Sequence, residues 1–354
     1  MKIFNGVGDF FGLDVGTSSV RVVQLGRRNG LDPSGGYVLK HFGYAQVDAQ
    51  TALADSETGR KKLGEIILNA IGQSGIRTKN VAIGLPSSKT FTTVIDVPNQ
   101  SQSELEKTIK YQIDQYIPMS IEDAKIDWVF LGQSPKDAEK QEVLLSSTAI
   151  EYSEEKLEFI ESLGLNVIAS EPDQIAMTRS LNIPDVQTAN FIVDLGEQTT
   201  DLAIVYDGAP RLVRSLPMGL NTMVKAAVQN LGVKDDQARQ FIIKFGLAPD
   251  KLEGRIYHSI ENVLDSFASE LAKSIKFFQT KYPNVPISRI IASGYASIIP
   301  MMNNYIANKT NMTTTIGSPW SNVLLTQQQQ QDLAPMGSEF AVAVGLAQRS
   351  NEDA

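Results

Sequence analysis

The sequence predicts an α/β chain of two related domains, and three observations carry that reading. At 354 residues the chain is long enough for about two domains. Apolar residues make up 42% of it, ample for real cores. One layout also appears in each half: an apolar strand, an Asp, one apolar residue, a Gly, a hydroxyl-bearing turn, and a second apolar strand.

The first copy is Phe10–Leu25. A short strand, Phe10–Leu13, delivers Asp14; Gly16 allows a tight turn; Thr17 and Ser18 occupy it; Val20–Leu25 leaves as the next strand. The second copy is Phe191–Val205, with Asp194, Gly196, Thr199 and Thr200 in the same order. Turns rich in Gly, Thr and Ser present backbone N–H groups and hydroxyls that cradle phosphate oxygens. An acid at the strand end can hold Mg²⁺ through water. An Asp-x-Gly-Thr sequence also makes an ordinary hairpin turn. Its repetition favours two domains facing each other across a nucleotide.

The other elements follow from periodicity and punctuation. Turn residues fill Arg27–Gly30 and Asp32–Gly36, and Tyr37–Val47 alternates as a third strand. Thr58–Ser74 sets Leu63, Ile66, Ile67, Ala70 and Ile71 on one helical face, with Gly75 as C-cap. Asn80–Leu85 reads as a buried strand. Thr90–Val97 is a strand ended by Pro98. Ser101 or Ser103 caps a helix over Glu104–Ile117 carrying Leu105, Ile109, Ile113 and Tyr116 on one side, broken by Pro118. Lys125–Leu131 and Glu142–Ile150 are strands around a polar tip, Gly132–Gln141. A helix from Ser153 stops at Gly164; a strand, Asn166–Ser170, and a helix, Pro172–Leu181, follow. Ile183–Ala189 reads as a junction. After the second hairpin come a strand at Arg211–Leu216 and helices at Gly219–Asn230, Lys234–Phe245 and Ile256–Tyr282. The last of these has Ile260, Leu264, Phe267, Leu271 and Phe278 on one stripe. A strand at Arg289–Ala292, a helix at Ile298–Ala307, an irregular stretch at Asn308–Thr326 and a Gln run at Gln327–Gln331, read as a solvated helix or loop, lead to an Ala- and Gly-rich helix, Phe340–Gln348, packed closely on the first domain. Ser350–Ala354 is a polar tail.

Composition removes several function classes. A net charge of -8 argues against a general nucleic-acid or anionic-membrane surface. With no cysteine, disulfides and thiolate metal sites are excluded and a reducing cytoplasm fits. His41 and His258 read as plain surface or core residues. No stretch approaches the roughly 20 apolar residues of a membrane span, and the N-terminus lacks a signal-peptide core. The expectation is a cytoplasmic protein whose membrane role comes through a partner.

The paired hairpins resemble those of the actin, Hsp70 and sugar-kinase superfamily, and β-β-β-α-β is the opening order of its ribonuclease-H-like domain. The strand–helix–strand–strand unit inserted in the first half narrows the resemblance to the FtsA and PilM branch. Gly12-Leu-Asp-Val-Gly-Thr-Ser-Ser-Val-Arg21, Glu104-Leu105, Gln115-Tyr-Ile-Pro-Met-Ser-Ile-Glu122, Ile126-Asp-Trp128, Leu163-Gly-Leu165, Glu171-Pro172 and Phe340-Ala-Val-Ala-Val-Gly-Leu-Ala-Gln-Arg349 are similar to stretches of the PilM family of type IV pilus assembly proteins. The resemblance implies a two-domain actin-like fold. The first domain would take 1–86, 165–187 and 337–350; a small SHS2-type α+β subdomain 87–164; the second domain 188–336, with a helical insertion at about 218–285.

The same resemblance implies a scaffold beneath the inner membrane, in type IV pilus assembly or the equivalent type II secretion platform. It would bind the short N-terminal cytoplasmic peptide of PilN and act with PilO, PilP and the motor ATPases. The peptide would lie against strand Thr90–Val97 and helix Glu104–Ile117, with Ile113, Tyr116 and Ile117 as contacts; those apolar faces would equally serve to pack the insertion. ATP and Mg²⁺ would be held by Asp14, Gly16, Thr17, Ser18, Arg21, Asp194, Gly196, Thr199 and Thr200, with Asp14 and Asp194 toward the metal. Gly294 and Tyr295 fall at the adenosine loop. This chain departs from the family in three places: Arg21 stands for the usual Lys, Tyr295 for a second Gly, and Ala238-Arg239 for Ala-Glu. Tyr295 could stack on a base or fill its place. Given these departures, hydrolysis is expected to be slow or absent. The alternatives are an FtsA-like filament, against which the short tail argues, and an active kinase.

Overall fold

In the computed structural model residues 9–28, 36–54, 56–183, 185 and 187–349 are described, with only the backbone for 102, 108 and 110–113. The expected turn at 29–35 and the tail at 350–354 therefore fall outside the described residues. The strands are β1 Phe10–Val15, β2 Ser19–Arg27, β3 Tyr37–Gln46, β4 Asn80–Leu85, β5 Thr90–Pro98, β6 Ala124–Gln133, β7 Lys140–Ala149, β8 Asn166–Pro172, β9 Ala189–Leu195, β10 Thr200–Tyr206, β11 Ala209–Leu216, β12 Ile287–Gly294, β13 Thr314–Ile316 and β14 Val323–Leu324. The helices are α1 Ala49–Ala52, α2 Glu57–Ser74, α3 Gln102–Ile113, α4 Ile150–Ser162, α5 Asp173–Leu181, α6 Leu220–Leu231, α7 Asp235–Phe245, α8 Arg255–Lys281, α9 Tyr295–Ile298, α10 Met302–Thr310, α11 Gln327–Leu333 and α12 Ala341–Ala347. They form two compact units: Met1–Gly132 with Lys140–Leu181 and Ser318–Ala354, and Gln133–Glu139 with Asn182–Gly317.

The main sheet of the first unit runs β14-β3-β2-β1-β4-β8. β1 lies inside it, antiparallel to β2 and parallel to β4. Both its faces are covered, which is why Phe10–Leu13 is a continuous apolar run rather than an alternating one. Ile67, Ala70 and Ile71 of α2 pack on the same core as Phe11, Leu13 and Val22. Ser56 caps that helix and Gly75, at φ 81°, ends it. Helix α12 approaches β1 so closely that a Cβ on Gly12 would stand 2.8 Å from Leu346 Cβ, and one on Gly345 would run into the carbonyl oxygen of Ala176. Small residues in the closing helix are therefore a steric requirement.

A second, three-stranded sheet, β5-β7-β6, belongs to the inserted module. Its core gathers Ile95, Val97, Leu105, Ile109, Ile117, Val143 and Leu145. Ser101, not Ser103, caps α3, and Glu104 returns a bond of 2.8 Å to the Ser101 backbone N–H. The helix ends at Ile113, short of the expected Ile117. Pro118 has no N–H for the Asp114 carbonyl and its ring clashes with it, so the last turn unwinds. Tyr116 thus lies beyond the helix.

The second unit is built on β11-β10-β9-β12-β13, its core packed by α6, α8 and α10 through Leu220, Met223, Ile260, Phe267, Leu271, Phe278 and Ile306. Three further expectations are corrected. Ile150 opens α4 instead of closing β7. The helix expected at Ile298–Ala307 is divided into α9 and α10, because Pro300 cannot continue it. The stretch expected to be irregular holds β13, paired with β12, and β14, paired with β3. Strands of three and two residues are too short for an alternation signal and exist because a sheet edge lies beside them. The Gln run is helical, capped by Thr326. No helix among the described residues is long and apolar enough to cross a membrane.

Candidate functional site

Each unit presents a tight hairpin, and the two are stabilised differently. In the first, Gly16 N–H donates to the Ser19 carbonyl at 3.0 Å, and the antiparallel register sets Asp14 opposite Arg21. Asp14 is 4% exposed. Arg21 Nη1 donates to Asp14 Oδ2 at 2.6 Å, and Nη2 reaches Glu339 Oε2 at 3.4 Å. Burial disfavours the guanidinium charge, but Asp14 and Glu339 outweigh it and push its pKa further up. A Cβ on Gly16 would stand 3.2 Å from Arg21 Nη1, so the glycine leaves room for this pair. Thr17 and Ser18 are half-buried at the tip.

Sequence reasoning missed three charged groups around Asp14. Glu339, just before the closing helix, shares Arg21. Lys156 on α4 faces Asp173 and Asp14; burial lowers its pKa and the two carboxylates oppose that shift. The Asp173 carboxylate at the start of α5 occupies the space a Cβ on Gly84 would need. A lone Lys among the Glu residues of α4 is too weak a signal to find alone, and Glu339 has none. Any cation at Asp14 would compete with Arg21 for its carboxylate. Among the described residues no group of three or more His, Asp or Glu side chains is gathered as a metal cage.

In the second unit Gly196 N–H donates to the Thr199 carbonyl at 2.8 Å, the same closure as in the first hairpin. The first amides of α6 are engaged by the turn: Leu220 N–H donates to Gly196 at 3.0 Å and Asn221 N–H to Glu197 at 2.9 Å. Thr200 is fully buried and its hydroxyl donates to the Met218 carbonyl at 2.6 Å, an anchoring role. Asp194, Gly196 and Thr199 are half-buried at the carboxyl end of β9. Gly294 ends the neighbouring parallel strand with φ 59°, and a Cβ there would stand 2.8 Å from Asp194 Oδ1. Only glycine fits that backbone. Carboxyl ends of parallel strands are where α/β sheets bind ligands.

Glu197 does not point unpaired toward the turn. Arg239 from α7 grips it with both prongs, Nη1 to Oε2 at 2.9 Å and Nη2 to Oε1. That hydrogen bonding is the main cause raising the Arg239 pKa, opposed by burial and aided by Tyr295, which also hydrogen-bonds it. The two departures of this half, Arg239 and Tyr295, thus meet in one network.

In the inserted module Ile117 is 7% exposed and packs in the core, while Tyr116 is 40% exposed. The side chain of Ile113 lies outside the described residues. Trp128 and Phe130 pack edge-to-face at 5.4 Å beside the same core.

The family model for type IV pilus assembly protein PilM matches residues 12–351. The chain belongs to the PilM family. Among solved structures the chain is similar to the PilM-PilN type IV pilus biogenesis complex, at 20% identity and a TM-score of 0.81, covering 97% of this chain and 98% of that one. It is also similar to MreB 5 of Spiroplasma citri bound to AMPPNP, with 13% identity, TM-score 0.54 and coverage of 95% and 94%. The ethanolamine utilization protein EutJ from Carboxydothermus hydrogenoformans matches at 12% identity and TM-score 0.52, covering 96% and 89%. These likenesses place this PilM-family chain in the actin-like fold.

Proposed function

We propose that this chain is a cytoplasmic, actin-like scaffold of type IV pilus assembly, held at the inner face of the membrane by the N-terminal peptide of a PilN-like protein. Through that partner it acts with PilO, PilP and the pilus motor ATPases. The observation that carries the reading is the PilM family match over residues 12–351. The module β5–β7–β6 with α3 supports the peptide role: Tyr116, next in sequence to the core residue Ile117, is 40% exposed. An extended leader peptide with apolar side chains suits such a surface. Ile117 serves chiefly to pack the module, and Tyr116 is the contact to test.

Nucleotide is the second ligand in this reading. The Gly16 and Gly196 hairpins, closed by matching backbone bonds, are proposed phosphate loops for ATP, with Mg²⁺ met by Asp14 and Asp194 through water. When bound, the metal would offset phosphate charge. The chain's own part is to present Thr17, Ser18 and Thr199 at the turns and to hold Asp14 in place through Arg21.

The test is capture of the full chain by a synthetic PilN-like leader peptide, repeated with Tyr116→Ala and Ile113→Ala. Retention that falls about tenfold on Tyr116→Ala fits loss of an aromatic interface anchor. Equal retention by both variants would remove the peptide site from this module. ATP-dependent sedimentation without peptide capture would favour the FtsA-like filament instead. Titration calorimetry with millimolar ATP·Mg²⁺ checks the nucleotide; absence of both heat and thermal shift counts against it.

A further inference from the structure

The second hairpin carries its own counter-ion. Glu197 sits in the turn with its side chain 9% exposed, and Arg239 reaches it from α7 in a two-pronged pair. A guanidinium fork fits two phosphate oxygens as well as it fits a carboxylate. Tyr295, at the start of α9, lies beside the same guanidinium. Asp194 lies close by, against Gly294. The turn therefore holds two carboxylates, and a polyphosphate settling there would be repelled unless a cation met it. Arg239 is a cation that reaches this turn.

We propose that Arg239 is a phosphate-binding residue held in reserve by Glu197: a polyphosphate competes with the Glu197 carboxylate for the guanidinium, and that competition sets the affinity of the second hairpin. The inference rests on reading the Gly196 turn as a phosphate loop. The ligand class is a nucleoside or inorganic polyphosphate. Without it, the internal pair offsets the Glu197 charge. With it, the fork turns from carboxylate to phosphate.

The test uses the full chain, titrated calorimetrically with inorganic tripolyphosphate and with ATP·Mg²⁺. Glu197→Gln keeps the shape and removes the competing charge. It should bind tripolyphosphate about tenfold tighter than the unaltered chain, the size of one charge-assisted bond released. Arg239→Gln should bind more weakly than the unaltered chain, the double variant should lose the gain, and Arg239→Lys, with charge but no fork, should fall between. Amide hydrogen exchange over 191–205 verifies that each variant keeps the hairpin, with Glu197→Ala as a second variant. Glu197→Gln binding no tighter, or Arg239→Gln binding tighter, overturns the proposal. If tripolyphosphate follows this pattern while ATP·Mg²⁺ gives no heat anywhere, the reserve stands and the nucleotide reading falls. If all variants bind ATP·Mg²⁺ alike, the reverse holds. No heat from either probe in any variant removes both.

Discussion

The two hairpins share a backbone closure and differ in how their acids are neutralised. Asp14 is paired by Arg21, its direct neighbour across the strand register. Glu197 is paired by Arg239, which comes from a helix 42 positions along the chain. In the first, the ion pair is part of the sheet and is nearly closed to solvent, with side chains 12% and 5% exposed. In the second it joins two elements near the surface, Arg239 being 37% exposed. The pair is thus enclosed in one unit and more open on its arginine side in the other, and burial decides what an unpaired charge costs.

That contrast can be broken most directly at Arg21. Arg21→Met strips buried Asp14 of its hydrogen-bonded guanidinium and should destabilise the first unit by about 3–5 kcal/mol. Trp128 and Trp320, the two tryptophans of the chain, both lie in that unit, so urea unfolding followed by their fluorescence reads it. Next in size is Gly294→Ala. It forces a side chain into φ 59° against the Leu195 carbonyl and should cost about 3 kcal/mol, read as faster amide exchange in β9 and β10. Arg239→Ala should cost about 1–2 kcal/mol, less than Arg21→Met, since Arg239 is 37% exposed and solvent screens its side of the pair, although Glu197 is 9% exposed. A loss as large as that of Arg21→Met would erase the distinction between the hairpins.

The smallest effect lies outside both turns. Asp48 accepts bonds from Thr51 N–H and Oγ1 at 2.8 Å each, and these hydrogen bonds hold its pKa down to about 2. A lowered carboxylate pKa adds stability above the ordinary value of 3.8 and loses it as pH falls through about 2. The Thr51 amide should therefore shift in an NMR titration with that low midpoint. A midpoint near 3.8 would contradict it.

Much of the frame was legible because it depends on neighbours in sequence. The buried run Phe10–Leu13, the 3.6-residue stripe of α8, Gly75 as a stop and the twofold Asp-x-Gly layout are all local patterns. Errors fell where a distant element decides. β13 and β14 have no signal of their own and are recruited by β12 and β3. Pro118 and Pro300 were visible, yet how far each unwinds its helix depends on what the freed residues can pack against. Ile117, expected either as a peptide contact or as packing for the insertion, lies in the module's core, and an apolar side chain near a helix end looks the same in either role.

By itself the sequence determined the two hairpins and most strands and helices, because short-range sterics and hydrophobic period fix those, while the actin-like order came through resemblance to a known family. Only the tertiary structure decided the state of the charges: that Arg21 closes on Asp14 and Glu339, that Lys156 turns toward Asp173 and Asp14, and that Arg239 and Tyr295 converge on Glu197. Charge pairing depends on distance and burial in space, which composition and spacing along a chain do not encode.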